Sequence, residues 1–204
     1  QTCALPIYNA HRFWALPLHR VVHLDINGGE PSASKNYRHI LENIPSTVKS
    51  IRINTNASMV IGEVKSLLDR GIHTTITVSL DGIGRIHDYV RWPIKFADVE
   101  RTIKHYQDMG VDLNTWTTVS ALNIGDLKNI FDYVHEHKLK HSWALLERPS
   151  VLSVKHSNRF TRTADVPDEL KPIVSSGNDN TVELQMFTAQ QDQLRGITLW
   201  EYYR

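Results

Sequence analysis

The stretch "VVHLDINGGEPSASKNYRHILENIPSTVKSIRIN", residues 21–54, contains one complete strand–helix–strand pattern. Its apolar and β-branched ends predict two strands, Val21–Ile26 and Val48–Asn54. Between them, Ser34–Asn43 is predicted to form a short helix that Pro45 ends. A strand, a helix and a second strand in this order are typical of two parallel strands joined by a crossover helix.

The same alternation continues along the chain. The further predicted helices are Val60–Arg70, Phe96–Met109 and Asp126–His137, and the further predicted strands are His73–Leu80, Val111–Val119 and Ser142–Leu146. Each unit of roughly 25 to 40 residues fits a right-handed crossover. We therefore predict an α/β fold, a partial (β/α) TIM-like barrel of parallel strands with a C-terminal helical tail. In this tail we expect helices near Pro167–Val174 and over Val182–Leu194, and a short terminal element over Ile197–Tyr203.

Three segments are predicted from the N-terminus onward. The first, residues 1–7, reads "QTCALPI", which matches the translation of a common short-read sequencing adapter, and we interpret it as a scar. Residues 8–149 form the predicted partial barrel, and residues 150–204 form the tail. The chain is therefore expected to lack a native segment upstream of this scar.

The composition restricts the classes of partner. The 204 residues carry a formal net charge of +1, which gives no electrostatic argument for binding nucleic acid or an anionic membrane. No apolar run approaches the roughly 20 residues that a membrane-spanning helix needs. The single cysteine, Cys3, excludes an internal disulfide and favours a reducing, cytoplasmic location. His135, His137 and His141 do not share one helix face, so no metal site is predicted there.

Polar and small residues follow each predicted strand, where α/β proteins place their ligand sites. The first of these segments is Gly28-Gly29-Glu30-Pro31. Two glycines leave the backbone open to a ligand, and the carboxylate of Glu30 suits a ligand ammonium group. The alternative is a tight turn in which Glu30 complements the start of the following helix.

Four of these segments together resemble the signatures of radical S-adenosylmethionine enzymes, especially those with SPASM or twitch extensions. "SLDGIGRIHDYVR", residues 79–91, resembles the pattern S-[IL]-D-G-x4-H-D-x2-R, and Gly-Gly-Glu-Pro resembles a second signature. "INTNA", residues 53–57, resembles a T-N-G signature with Ala57 in place of the glycine. "VSALNIGDL", residues 119–127, resembles V-x3-N-x2-D-L. The resemblance covers residues 21–149, and the tail has a weaker likeness to twitch-like tails.

The resemblance implies the residues that bind S-adenosylmethionine. Gly28, Gly29, Glu30 and Pro31 would take its methionyl ammonium group, and Ser79 and Arg91 its carboxylate. Asp81 belongs to the same signature as Ser79 and Arg91, and the backbone from Val119 to Asn123 would flank the adenine. Asn54 and Asn56 are weaker candidates for contact with the ribose or the substrate. No residue of this chain is assigned a catalytic or metal-ligating role.

The chain departs from the family at its cluster. The family holds a [4Fe–4S] cluster with a C-x3-C-x2-C loop upstream of Gly-Gly-Glu-Pro, and this sequence has no such loop.

The resemblance implies that the parent protein cleaves S-adenosylmethionine to a 5′-deoxyadenosyl radical. It also implies an electron donor such as flavodoxin or ferredoxin, and a peptide or small-molecule substrate. The fragment alone is expected to be inactive. The alternative is a non-catalytic α/β binding domain that keeps the radical S-adenosylmethionine shape without the cluster.

Overall fold

The computed structural model describes residues 17–156, 166–175, 181–196 and 198–199. The predicted adapter scar lies outside these residues, as does most of the predicted element Ile197–Tyr203. Within the described residues the strands are β1 (His23–Ile26), β2 (Ser50–Thr55), β3 (His73–Ser79), β4 (Asp112–Val119) and β5 (Lys140–Leu145). The helices are α1 (Lys35–Glu42), α2 (Val64–Asp69), α3 (Arg85–Val90), α4 (Phe96–Asp108), α5 (Leu127–Glu136), α6 (Lys171–Ser175) and α7 (Thr181–Arg195).

The five strands form one parallel sheet in the order β1-β2-β3-β4-β5. Ile26, Ile53 and Ile76 are register partners across β1, β2 and β3, and all three are buried. A sequential order, with no reversal of direction along the sheet, is the order of strands in a (β/α) barrel wall. The predicted α/β fold class with a partial TIM-like arrangement is confirmed.

Burial alternates along the strands, which exposes one face of the sheet more than the other. In β2, Ile51 and Ile53 are buried, whereas Arg52 is exposed and Asn54 is half-buried. Sheets of parallel strands usually bury both faces and have nearly continuous apolar strands. The more open face carries the polar side chains, and Ser79 belongs to it because it lies two residues beyond Thr77, the register partner of Asn54.

The chain divides into two compact units. The first comprises Gln1–Ser79 and Asp98–Asn114, and the second comprises Leu80–Ala97 and Thr115–Arg204. Each unit contains residues that were predicted to bind a ligand. The predicted boundary between residues 149 and 150 stays a prediction.

Helices α2 and α6 each begin four residues later than predicted, α6 at Lys171 rather than near Pro167, and helix α3 was not predicted. Helix α2 begins at Val64 rather than at Val60, because the backbone N–H of Ile61 donates to the hydroxyl of Tyr106 at 2.8 Å and a turn precedes the helix. Helix α3 was not predicted as a helix at all. It has only six residues, too few for the apolar periodicity that reveals longer helices. No helix among the described residues has the length and apolar character needed to cross a membrane.

Candidate functional site

The loop after β1 turns through two glycines in the left-handed region of backbone conformation. Gly28 has φ +86° and Gly29 has φ +63°, values that residues with a side chain rarely adopt. Tyr37 of α1 holds this turn: its hydroxyl donates to the carbonyl oxygen of Gly28 at 2.5 Å. Burial, and secondarily the nearby Glu30, raise the pKa of Tyr37, so its hydroxyl remains a donor at neutral pH.

Glu30 connects the ends of β1 and β2 through its carboxylate. Its Oε1 accepts from the backbone N–H of Ser32 at 3.1 Å, from the Ser32 hydroxyl at 2.7 Å and from the Thr55 hydroxyl at 2.6 Å. Its Oε2 accepts from the backbone N–H of Asn56 at 2.7 Å. Glu30 thus caps the turn Pro31–Ala33, as the alternative reading of the sequence expected. Its Oε2 accepts a single hydrogen bond from the described residues, so it has capacity for a further donor.

The two asparagines after β2 hold local structure. The side-chain amide of Asn54 donates to the side-chain oxygen of Asn27, and the side-chain oxygen of Asn56 accepts from the backbone N–H of Ser58 at 2.9 Å. Ser79 is half-buried at the end of β3, and its hydroxyl makes no hydrogen bond to a described residue. In the first unit, the Ser79 hydroxyl thus has no hydrogen-bond partner among the described residues, whereas each asparagine uses one of its two polar side-chain atoms.

Replacing Tyr37 with phenylalanine is expected to destabilise the chain by about 0.5–1.5 kcal/mol, the net contribution of one hydrogen bond. The ring would still fill its buried position, whereas Tyr37→Leu would lose that packing too and cost more. Urea unfolding of both variants measures the difference. A Tyr37→Phe protein as stable as the unaltered chain would mean that the hydroxyl does not hold the turn.

In the second unit, the buried carboxylate of Asp81 binds the backbone near the end of β4. Its Oδ1 accepts from the backbone N–H of Thr118 at 2.7 Å, and its Oδ2 accepts from Nε of Arg91 at 2.7 Å. The Arg91 side chain is 28% exposed, and its two terminal nitrogens make no ion pair with a described residue. These two nitrogens form the planar pair of donors that matches a carboxylate.

Asn123 is fully buried and uses its whole side chain within the second unit. Its amide nitrogen donates to the carbonyl oxygens of Asp81 and Thr118, at 3.0 Å each, and its side-chain oxygen accepts from the backbone N–H of Ser120 at 2.7 Å. Val119 is also fully buried, and its carbonyl accepts from the N–H of Leu146 at 2.8 Å. Both side chains thus support the loop from inside.

The backbone N–H groups of this loop have acceptors within the chain. Ala121 donates to the carbonyl of Leu152 at 2.8 Å, Leu122 to the Ser120 hydroxyl at 3.2 Å, and Asn123 to the Ser120 carbonyl at 3.2 Å. Contact with an adenine would therefore use carbonyl oxygens, which can accept from its exocyclic amino group, and apolar surface. The contact with adenine stays a prediction, now limited to the carbonyl oxygens and apolar surface of this loop.

Asp126 is a structural residue of the second unit to which the sequence interpretation gave no role. It is buried, and it accepts from the backbone N–H of Ile83 at 2.6 Å and from the side-chain amide of Asn129 at 2.6 Å. Burial raises its pKa. The sequence feature that could have indicated this role is the position of Asp126 in the pattern V-x3-N-x2-D-L. No local sequence pattern indicated the roles of Tyr37, Thr55 and Thr118, because each bonds to a residue at least nine positions away.

The site residues thus form two groups. In the first unit, Glu30 binds the backbone of Asn56 directly, and Ser79 ends the strand beside β2. In the second unit, Asp81 binds both Arg91 and Asn123. No cluster of three or more His, Cys, Asp or Glu side chains that could hold a metal ion occurs among the described residues. These residues therefore do not fit an iron–sulfur cluster.

No family model and no curated protein matches the chain. Among solved structures, native anSMEcpe with bound AdoMet aligns over 89% of this chain and 50% of its own, with TM-score 0.54 and 16% identity. Streptococcus suis SuiB bound to precursor peptide SuiA aligns over 76% and 35%, with TM-score 0.54 and 17% identity. SuiB has also been solved bound to S-adenosylmethionine, with TM-score 0.53 and 16% identity to this chain. At these identities the likeness shows the fold, and the chain spans half or less of their length.

Proposed function

We propose that this chain is the S-adenosylmethionine-binding part of a radical S-adenosylmethionine enzyme. The observation that carries the proposal is the carboxylate of Glu30, which four donors hold at the ends of two parallel strands while Oε2 keeps capacity for an ammonium group. The fold shared with solved proteins that bind AdoMet supports it. In the intact superfamily, the bound cofactor is the source of a 5′-deoxyadenosyl radical.

Each recognition element has a separate physical basis. In the first unit, Glu30 would accept from the ammonium group, the open backbone of Gly28 and Gly29 would allow close approach, and Ser79 would donate one hydrogen bond.

In the second unit, Arg91 would bind the carboxylate through its terminal nitrogens while Asp81 fixes its Nε. Asn123 would hold the loop that presents backbone carbonyls to the adenine. Pro31, Asn54 and Asn56 would shape the first unit's loop ends.

The cluster and the remaining partners belong to the longer protein that we propose. Its [4Fe–4S] ligands would be a C-x3-C-x2-C segment upstream, its electron donor a flavodoxin or ferredoxin, and its location the cytoplasm. The solved structure of SuiB with its precursor peptide favours a peptide over a small molecule as the substrate class. A twitch-like role for residues 150–204 is part of the same proposal.

A second candidate is a non-catalytic α/β domain that binds an adenosyl ligand. The lack of cluster ligands among the described residues favours this candidate for the chain taken alone. The two candidates differ in one observable property, because only the first requires a C-x3-C-x2-C segment in the coding sequence upstream.

Substituting Glu30 with glutamine tests the ammonium contact. We expect affinity for S-adenosylmethionine to fall about 10- to 100-fold, the equivalent of one charge-assisted hydrogen bond. Affinity for 5′-methylthioadenosine, which lacks the amino-acid group, should change less than twofold. Ligand-detected NMR titrations measure both constants, and Glu42→Gln, at an exposed carboxylate on α1, is the matched control. Equal losses for both ligands would show that Glu30 only supports the loop.

A further inference from the structure

Helix α7 contacts the short helix α3 through the last residue of α7. Nη1 of Arg195 donates to the carbonyl oxygen of Tyr89 at 2.6 Å, and its guanidinium carbon lies 4.8 Å from the centroid of the Tyr89 ring. The carbonyl of Tyr89 lies in the final turn of α3, where the helix dipole favours a cation. Arg195 therefore binds the C-terminal end of α3 from a position 106 residues away in sequence.

A second contact connects the same two helices. The hydroxyl of Tyr89 donates to Oδ1 of Asp192 at 2.7 Å, and the backbone N–H of Leu199 donates to the same oxygen at 3.2 Å. The Tyr89 side chain is fully buried in an apolar cluster with Ala121, Leu122, Leu184 and Leu199. We call Tyr89, Asp192 and Arg195 the α3–α7 clasp.

The clasp acts on the residue that follows α3. Arg91 is the C-terminal cap of this helix, and its backbone N–H donates to the carbonyl of His87 at 2.8 Å. A six-residue helix is too short to be stable by itself, so contacts with the rest of the protein determine its position. The clasp holds Tyr89, which lies two residues before the cap, and so limits where the Arg91 backbone lies.

We propose that Arg195 and Asp192 are positioning residues that hold Arg91 for recognition of a ligand carboxylate. This inference rests on the proposed function, in which that carboxylate belongs to S-adenosylmethionine. It assigns the tail helix α7 a part in cofactor discrimination. A merely structural clasp would stabilise the second unit without affecting which ligands bind.

The test compares S-adenosylmethionine with decarboxylated S-adenosylmethionine, which keeps the amino group but lacks the carboxylate. In Arg195→Gln we expect affinity for the first to fall about 3- to 30-fold, the usual range for a residue that acts through another. Affinity for the second should change less than twofold. Tyr89→Phe, which removes only the hydroxyl bond to Asp192, should cause a smaller loss with the same selectivity. Arg101→Gln removes an exposed arginine in an ion pair with Asp98 and is the matched control.

A measurement without ligand separates this inference from the proposed function. The Nε–H of Arg91, bonded to Asp81, should give an NMR signal that is lost in Arg91→Lys. Arg195→Gln should shift this signal or speed its exchange, and Arg101→Gln should not. Equal losses of both ligands, or an unchanged Arg91 signal in folded variants, would overturn the positioning role. If the unaltered chain binds neither ligand, the proposed function fails, whereas the Arg91 signal still tests the clasp.

Discussion

Gly82→Ala is expected to destabilise the protein by about 1–3 kcal/mol, the cost of forcing an atom into a packed interior. A Cβ at position 82 would lie 2.7 Å from the backbone nitrogen of His87 and 2.9 Å from Cγ2 of Ile86. The first of these atoms belongs to the backbone of α3 and cannot move without moving the helix. The loop that carries Asp81 and the helix that precedes Arg91 pack so closely that only glycine fits between them.

Gly62→Ala is the matched control for this prediction. A Cβ at Gly62 has no other atom within 4 Å, and its backbone does not have a positive φ. Its unfolding free energy should stay within about 0.5 kcal/mol of the unaltered chain, or rise slightly through the lower entropy of the unfolded state. Urea unfolding followed by tryptophan fluorescence measures both variants. Equal stability of the two variants would contradict the close approach at Gly82.

Stability is also expected to fall as the pH is lowered through the range in which His87 titrates. Burial first, and then the Arg91 cation, lower the pKa of His87 to about 4, while Asp88 and the backbone of Gly82 oppose the shift. In the unfolded chain its pKa is about 6.5. Between these values the unfolded state binds more protons than the folded state, so acid favours unfolding. The contribution is fully present above about pH 6.5 and is lost toward pH 4.

The expected size of this effect is about 2 kcal/mol between pH 7.5 and pH 5. Urea unfolding at the two pH values measures it for the unaltered chain and for His87→Leu, in which this part of the pH dependence should disappear. His135→Leu, at an exposed histidine on α5, is the control and should show the same pH dependence of the unfolding free energy as the unaltered chain. If His87→Leu shows the same pH dependence as the unaltered chain, His87 is not buried as a neutral ring.

Local sequence patterns predicted the sheet well because each strand has its own periodicity. The five strands lie within a few residues of their predicted bounds, since apolar alternation and β-branched residues act over four to eight positions. Their parallel direction followed from the helices between them. Helix α3 was missed because its position depends on the contact at Gly82 and on the clasp, and neither contact lies within a local window.

The unusual backbone of the candidate site was predictable from its glycines, whereas several of its hydrogen bonds were not. Glycine at positions 28 and 29 indicated an unusual backbone, and both have a positive φ. At position 57, where the family signature has glycine, Ala57 has φ +55°, a conformation that favours glycine. The bonds of Asp81 with Thr118 and of Asn123 with Asp81 could not be predicted, because they join residues 37 and 42 positions apart. Side chains proposed for ligand contact also proved to hold the loops together.

Binding of S-adenosylmethionine for radical chemistry is the function that we propose for this chain. Its most direct test is a chain extended upstream in its own reading frame, reconstituted anaerobically with iron and sulfide, and reduced with S-adenosylmethionine present. The measurement is 5′-deoxyadenosine released per chain alongside iron per chain. We expect a C-x3-C-x2-C segment in the extension, about four irons per chain and release of 5′-deoxyadenosine that Glu30→Ala strongly reduces at near-normal iron content. A protein that loads iron but releases no 5′-deoxyadenosine would contradict the proposed function. An upstream extension without the three cysteines would also contradict it.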